Sequence, residues 1–250
     1  MRTCRFSRKG QESWGVLEGD SVRALSAAPW EGGLPEGARL PFAEVTLLAP
    51  VRPTKVVCVG RNYRAHAKEM GHEVPKEPLL FIKPSTAILG PMEEIRIPEA
   101  SKEVHHEAEL AAVMGRTLTR GSAVEAREAI FGWTCLNDVS ARDIQRAEQH
   151  FTRAKSYDTF CPVGPVVETA LDPLDQVVVC RVNGEQRQRG TTRDMVVDPY
   201  ALVSFVSQIM TLLPGDLVST GTPEGVGPIG RGDWVEVEVS GIGILRNPVV

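Results

Sequence analysis

Residues 105–115 read HHEAELAAVMG, and the two glutamates at the head of this apolar run pose the first chemical question. On a strand, side chains alternate with period two, so Glu107, Glu109, Ala111 and Val113 share one face while Ala108, Leu110, Ala112 and Met114 share the other. Neither face reads as solvated. Two buried like charges are costly unless a counter-charge or a raised pKa relieves them, so the pattern calls for something positive nearby. A third carboxylate, Asp138, ends the apolar run GWTCLND just before SARDIQ. Plainer roles are open to each: an exposed strand end for the glutamates, a helix N-cap for Asp138. Taken together, the three could converge on one hard cation, and all-oxygen ligation suits Mg²⁺, Mn²⁺ or Ca²⁺ rather than Zn²⁺.

His66 and Glu69 stand one helical turn apart in NYRAHAKEMG, on one face of a short predicted helix. Such a pair is commonly a surface pair. Here Gly60 precedes the helix and Gly71 follows it, so the segment could serve as a lid on which Glu69 tunes His66 as a general base. His105 and His106 are neighbours on a strand and point to opposite faces, which makes them structural or supporting residues rather than joint metal ligands. GVGPIGRG contains G-x-G-x-x-G, yet a strand pattern, WVEVEV, follows it; a dinucleotide site needs those glycines to open a helix, so here they shape a tight loop. Ser140, Ser156 and Thr222 lack the G-x-S-x-G setting of a serine nucleophile.

These residues need elements to hold them. Strands are predicted at VVCVG, LLFIK, EIRIP, AELAAVM, GWTCLND, VVVCRV, DLVST and WVEVEVS, with a hairpin at Val182-Asn183-Gly184-Glu185. Helices are fewer: SAVEAREAIF, SARDIQRAE and DPYALVSFVSQIMTLL, the last opening at Asp-Pro and closing at Pro214-Gly215. Strands do not alternate regularly with helices, which favours a β-rich α+β fold over a doubly wound sheet. Residues 1–50 give short alternating pieces and the Pro/Gly-rich PWEGGLPEGARLP, a small β subdomain with a loop, and residues 51–250 form the main domain.

Composition narrows the function classes. The chain has 250 residues, 42% hydrophobic and 24% charged, and a formal net charge of -4, which argues against a general nucleic-acid or anionic-membrane binder and for a small-molecule partner. Its five cysteines form no C-x-x-C pair and read as core residues of a reducing compartment. With no apolar run near the length of a membrane span and no apolar leader segment, a cytoplasmic location is expected.

At this point the chain resembles the fumarylacetoacetate hydrolase family, in particular its acylpyruvase and hydroxyheptadienedioate isomerase branch. The resemblance rests on VVCVGRNYRAHAKEM, LLFIKPST, HHEAELAAVMG, NDVSARDIQ, AKSYDTFCPVGP and STGTPEGVGP, in family order over roughly residues 55 to 230. It implies a mixed β-roll with a small amino-terminal domain, assembled as a homodimer. It implies further that Glu107, Glu109 and Asp138 hold Mg²⁺ or Mn²⁺, with Ca²⁺ a further option, which would supply the missing positive charge. By the same resemblance His66 and Glu69 form a water-activating pair on a mobile lid, and Lys155 steadies the substrate and its enolate. Arg61, Arg142, Gln145 and Thr222 fall where the family lines its substrate pocket. The family's namesake has one more aspartate ligand before its histidine, and VVCVGRNYRA contains no carboxylate. That points to smaller 2-oxo acids.

The activity expected first is hydrolysis of the C–C bond of acylpyruvates or related 2,4-dioxo acids through a metal-stabilised pyruvate enolate. The same enolate serves a decarboxylase of oxaloacetate-like acids, or a tautomerase or isomerase of 2-hydroxyhepta-2,4-diene-1,7-dioate type acids. A different class is a non-catalytic protein that binds metal or a 2-oxo acid. It would need the three carboxylates but not His66, Glu69 and Lys155.

Overall fold

Both faces of AELAAVM are apolar because its strand lies in the middle of a sheet with a core on each side. The computed structural model describes residues 1–148 and 150–250 and places the strand Ala108–Met114 between Ile130–Asn137 and Leu217–Ser219, antiparallel to both. Leu110, Ala112 and Met114 pack with Val57, Val59, Trp133 and Val178, while Ala111 and Val113 pack with Val56, Cys58, Leu136 and Val163 on the other side. Every residue of the strand is buried. A solvated face was never available to Glu109.

The strand belongs to a 12-stranded sheet in which most pairs are antiparallel, but Leu217–Ser219 runs parallel to Val56–Gly60. A 3-stranded sheet joins Ser140–Ala141, Val104–His106 and Gly227–Ile229, and a 4-stranded one joins Glu185–Thr191, Val177–Val182, Trp234–Val239 and Gly243–Pro248. The short helices Arg64–Glu69, Ala123–Ala129, Arg142–Ala147 and Thr152–Lys155, with the longer Pro199–Ile209, fill the gaps. This is the β-rich α+β fold with a mixed sheet that the sequence led us to expect. The hairpin falls where Asn-Gly placed it, with Asn183 at φ 53° and Gly184 at φ 81° between paired strands.

Residues 2 to 41 form an antiparallel meander whose first strand, Arg2–Arg8, pairs with Cys161–Glu168 and so joins the main sheet. Several readings need correction. Part of the Pro/Gly-rich segment taken as loop is a strand, Pro35–Pro41; it lies at the sheet edge, where one side needs no ladder bonds and proline is tolerated. EIRIP makes only a bridge, Ile95 to Val249. The helix opened by Asp198 ends at Ile209, because Met210 turns extended (φ -147°, ψ 145°) and Leu212, fully buried, bonds to the backbone of Leu118. Tertiary pairing there overrides the apolar helical period.

Asp216 ties the strand Leu217–Ser219 in place. Its buried carboxylate accepts from Thr54 N (2.9 Å), Thr54 Oγ1 (2.7 Å), Lys55 N (3.2 Å) and Leu213 N (2.9 Å), and pairs with Lys55 Nζ. Burial pushes its pKa up, but the bonds from Lys55, Thr54 and Leu213 outweigh burial and hold it below the ordinary value. A depressed folded pKa gives stability that is complete above the unfolded value near ~4 and is lost as pH falls through the folded value. Asp216→Asn is therefore expected to cost about 2–4 kcal/mol in denaturant melts at neutral pH, with the gap to wild type closing below pH ~4.

Candidate active site

Glu107 sits between the strands Val104–His106 and Ala108–Met114, where the chain passes from one sheet to the next. Its backbone N donates to Asn137 Oδ1 (3.0 Å), and its C=O accepts from Asp138 N (2.9 Å), which brings Asp138 beside the glutamates. One oxygen from each of Glu107, Glu109 and Asp138 lies within 4.8 Å of the others, and all three residues are buried. Asp138 is not the N-cap of the following helix; that position belongs to Ala141, which makes no side-chain cap bond. Three converging buried carboxylates form an all-oxygen donor set that fits a hard divalent cation.

The counter-charge is not left to a cation alone. Lys155 Nζ donates to Glu107 Oε2 (2.8 Å) and Asp138 Oδ2 (2.7 Å), and Lys83 Nζ to Asp138 Oδ1 (2.5 Å) and Val139 O (3.1 Å). Arg142 Nη2 pairs with Glu107 Oε1. Burial raises the pKa of Glu107, but Arg142 and Lys155 outweigh it and hold the carboxyl well below its usual range. Burial lowers that of Lys155, and the charges of Asp138 and Glu107 outweigh it and raise it. Glu109 differs: its Oε2 accepts from Ser219 Oγ and Gly221 N (2.9 Å), and among the described residues it forms no ion pair. Burial, then the charges of Asp138 and Glu107, push its pKa well above the usual range. Glu109 is thus the carboxylate whose charge most needs a bound cation.

Above this floor stands the helix Arg64–Glu69. Glu69 Oε2 lies 3.2 Å from His66 Nδ1, and Glu69 Oε1 accepts from Gly225 N at 2.9 Å. Gly225 (φ 91°) and Gly221 (φ 93°) explain the glycines of STGTPEGVG. A Cβ on Gly225 would stand 2.3 Å from Arg187 O, and one on Gly221 would stand 2.9 Å from Asn62 Cβ. Their amides can therefore reach Glu69 and Glu109. Asn62 pins the same region, donating to Thr220 O (2.8 Å) and Val197 O (3.0 Å).

A cavity of about 360 Å³ lies between the helix and the carboxylates, lined by His66, Glu107, Glu109 and Lys155 together with Arg61, Arg142, Gln145 and Thr222. Of the ten residues singled out in the sequence, Glu69 lies behind His66 and Asp138 beneath Lys155; the other eight line the cavity directly. The volume is near the lower end for ligand sites, ~300 to 1,000 Å³, and suits a small acid. Arg142 reaches both Glu107 and Gln145 Oε1 (2.5 Å), so it orders the wall as well as the floor.

Two supporting residues escaped the sequence reading. Lys83 ends the apolar run LLFIK, which was the available signal, and the structure buries it fully. Gln188 comes from the 4-stranded sheet: its Oε1 accepts from Ala108 N (3.0 Å) and faces His106 Nδ1 (2.9 Å), and its Nε2 donates to Thr222 Oγ1 (2.8 Å) and Pro223 O (2.8 Å). Burial lowers the His106 pKa to about 4, so this ring is neutral and packs as a structural group. His105 turns the other way, its Nε2 3.0 Å from Glu103 Oε1.

Comparison with known proteins places both parts of the chain among known families. A family model described as fumarylacetoacetate (FAA) hydrolase C-terminal matches residues 55–250, and one described as Rv2993c-like, N-terminal, matches residues 1–50. Protein Rv2993c of Mycobacterium tuberculosis is 48% identical over 260 residues, covering 100% of this chain and 98% of its own. Human mitochondrial oxaloacetate tautomerase FAHD2A is 45% identical over 224 residues, covering 84% of this chain and 71% of its own. The crystal structure of 5-carboxymethyl-2-hydroxymuconate delta-isomerase from Mycobacterium smegmatis superposes with a TM-score of 0.94 at 45% identity, covering 100% of this chain and 99% of that one.

Proposed function

The chain belongs to the fumarylacetoacetate hydrolase family, and from that premise we propose that it is a divalent-cation-dependent enzyme that moves a proton at the carbon beside the 2-oxo group of a small 2-oxo diacid, as a keto–enol tautomerase or double-bond isomerase. The observation that carries this reading is the convergence on one cavity of the three carboxylates, Lys155 and the His66–Glu69 pair. A binding protein would need only the first of these. The tautomerase and isomerase named among the relatives favour proton transfer over the C–C hydrolysis that the sequence put first.

Glu107, Glu109 and Asp138 would hold the divalent cation, which would supply a Lewis acid to the bound 2-oxo acid. The chain's own groups do the rest. Glu69 fixes the His66 ring through Nδ1, which leaves Nε2 to exchange a proton with the substrate carbon. Lys155 places an ammonium where negative charge grows on the enolate oxygen. Arg61, on the cavity wall, offers a cation to a distal carboxylate. The partners of this reading are a small 2-oxo acid, Mg²⁺ or Mn²⁺, and a second copy of the chain as a homodimer.

Hydrolysis is the second reading, because His66 held by Glu69 is equally placed to activate a water. Proton NMR of the protein with Mg²⁺ and either oxaloacetate or acetylpyruvate separates the two. Faster enol–keto exchange of oxaloacetate, lost on chelation, with acetylpyruvate intact, is the expected result. Acetate and pyruvate from acetylpyruvate would install the hydrolase instead.

A further inference from the structure

Lys155 and Arg142 pair with Glu107, and Lys155 and Lys83 with Asp138, so even with Glu109 ionised, as a cation would require it, three buried cations equal three buried carboxylates and the cluster is formally neutral before any cation enters. Lys83 is the least expected member. It is fully buried, it is absent from the cavity lining, and from the strand Leu79–Lys83, which pairs with Val56–Gly60, it holds Oδ1 of Asp138, the oxygen that Lys155 does not take. Its second bond, to Val139 O, fixes it there. Lys155 differs in lining the cavity, where a substrate can reach it.

A neutral cluster attracts a lone divalent cation weakly, and taking that cation up leaves two uncompensated positive charges in a low-dielectric site. A dianion restores neutrality; a monoanion leaves the site positive. We propose that Lys83 is a fixed counter-charge to Asp138 that weakens the binding of a lone cation and makes cation binding depend on a dianionic 2-oxo acid. This rests on the cation assignment of the functional reading, and it adds what that reading lacks: a reason for the site to select a doubly charged substrate. It also makes Lys83 a positioning residue, since it reaches the substrate only through Asp138.

The test reads cation affinity rather than turnover. Mn²⁺ binding is followed by electron paramagnetic resonance on the full chain, alone and with saturating oxalate or pyruvate. In wild type, oxalate should tighten Mn²⁺ by about tenfold or more, and pyruvate by clearly less. Lys83→Met should bind Mn²⁺ alone about tenfold or more tighter and lose most of the oxalate effect, and Lys83→Arg, which keeps the charge, should restore both. Lys83→Met with wild-type affinity and wild-type oxalate linkage overturns the proposal and leaves the cation assignment standing. Should Lys83→Met not fold, the wild-type comparison still decides: equal tightening by oxalate and pyruvate overturns the proposal. Absence of Mn²⁺ binding in wild type under every condition overturns the cation assignment and this proposal with it, whatever turnover is found.

Discussion

Glu69→Ala is expected to lower turnover by about 10²- to 10⁴-fold, the usual range for loss of a general base or its partner, while Mn²⁺ affinity stays at the wild-type level. Glu69 makes two contacts, and they separate its roles. Through Oε2 it meets His66 Nδ1 and selects the tautomer with Nε2 free; through Oε1 it accepts the Gly225 amide and latches the helix Arg64–Glu69 to the loop beside Thr222. Glu69→Gln keeps an oxygen for Gly225 but loses the charge that stabilises an imidazolium. It should therefore retain substrate affinity and lose mainly kcat, whereas Glu69→Ala should both lower kcat and raise KM. The side chain is 33% exposed, so neither change should cost much stability. Undiminished turnover in a folded Glu69→Ala protein would remove the pair from the chemistry.

Lys155→Met should have two effects of comparable size. Without Lys155, Glu107 and Asp138 lose the ammonium bonded to both of them, at 2.8 and 2.7 Å. Breaking a buried pair from one side costs about 3–5 kcal/mol, so denaturant unfolding in the presence of chelator should show a loss of that order. Adding Mg²⁺ should recover more stability in the variant than in wild type, because the vacated negative charge binds the cation more tightly. Turnover should still fall by about 10²- to 10³-fold with Mg²⁺ saturating, the scale of losing one stabilising group at a developing oxyanion. A variant as stable and as active as wild type would make Lys155 a spectator held over Phe81, whose ring centroid lies 5.1 Å from its Nζ.

How much of this was legible depends on how far apart the partners are in sequence. Asn183-Gly184 declared its hairpin because a two-residue turn is local chemistry, and the apolar run after Glu109 declared a buried central strand because alternation shows both faces at once. Ser122 and Glu125 form the capping box of the helix Ala123–Ala129 from three residues apart. Ile130, read as part of that helix, instead begins the next strand, since it pairs with Met114. The three carboxylates could be grouped because burial of like charges demands an explanation. Their lysine and arginine partners could not be placed in the same way. Lys83 is 55 residues from Asp138 and Gln188 is 82 residues from His106, and only the sheet topology says that they meet. Gly225 was legible as a loop former; that its amide aims at Glu69, and that of Gly221 at Glu109, followed only from the fold.

The central claim is cation-dependent proton transfer at a 2-oxo acid, and the most direct measurement is stopped-flow decay of the enol absorbance of freshly dissolved oxaloacetate. The protein with Mg²⁺ should convert enol to keto form faster than Mg²⁺ alone, with chelator returning the rate to background and Glu69→Ala giving nearly the same background. A wild-type rate equal to Mg²⁺ alone, or a protein-dependent rate that survives chelation, would contradict the account.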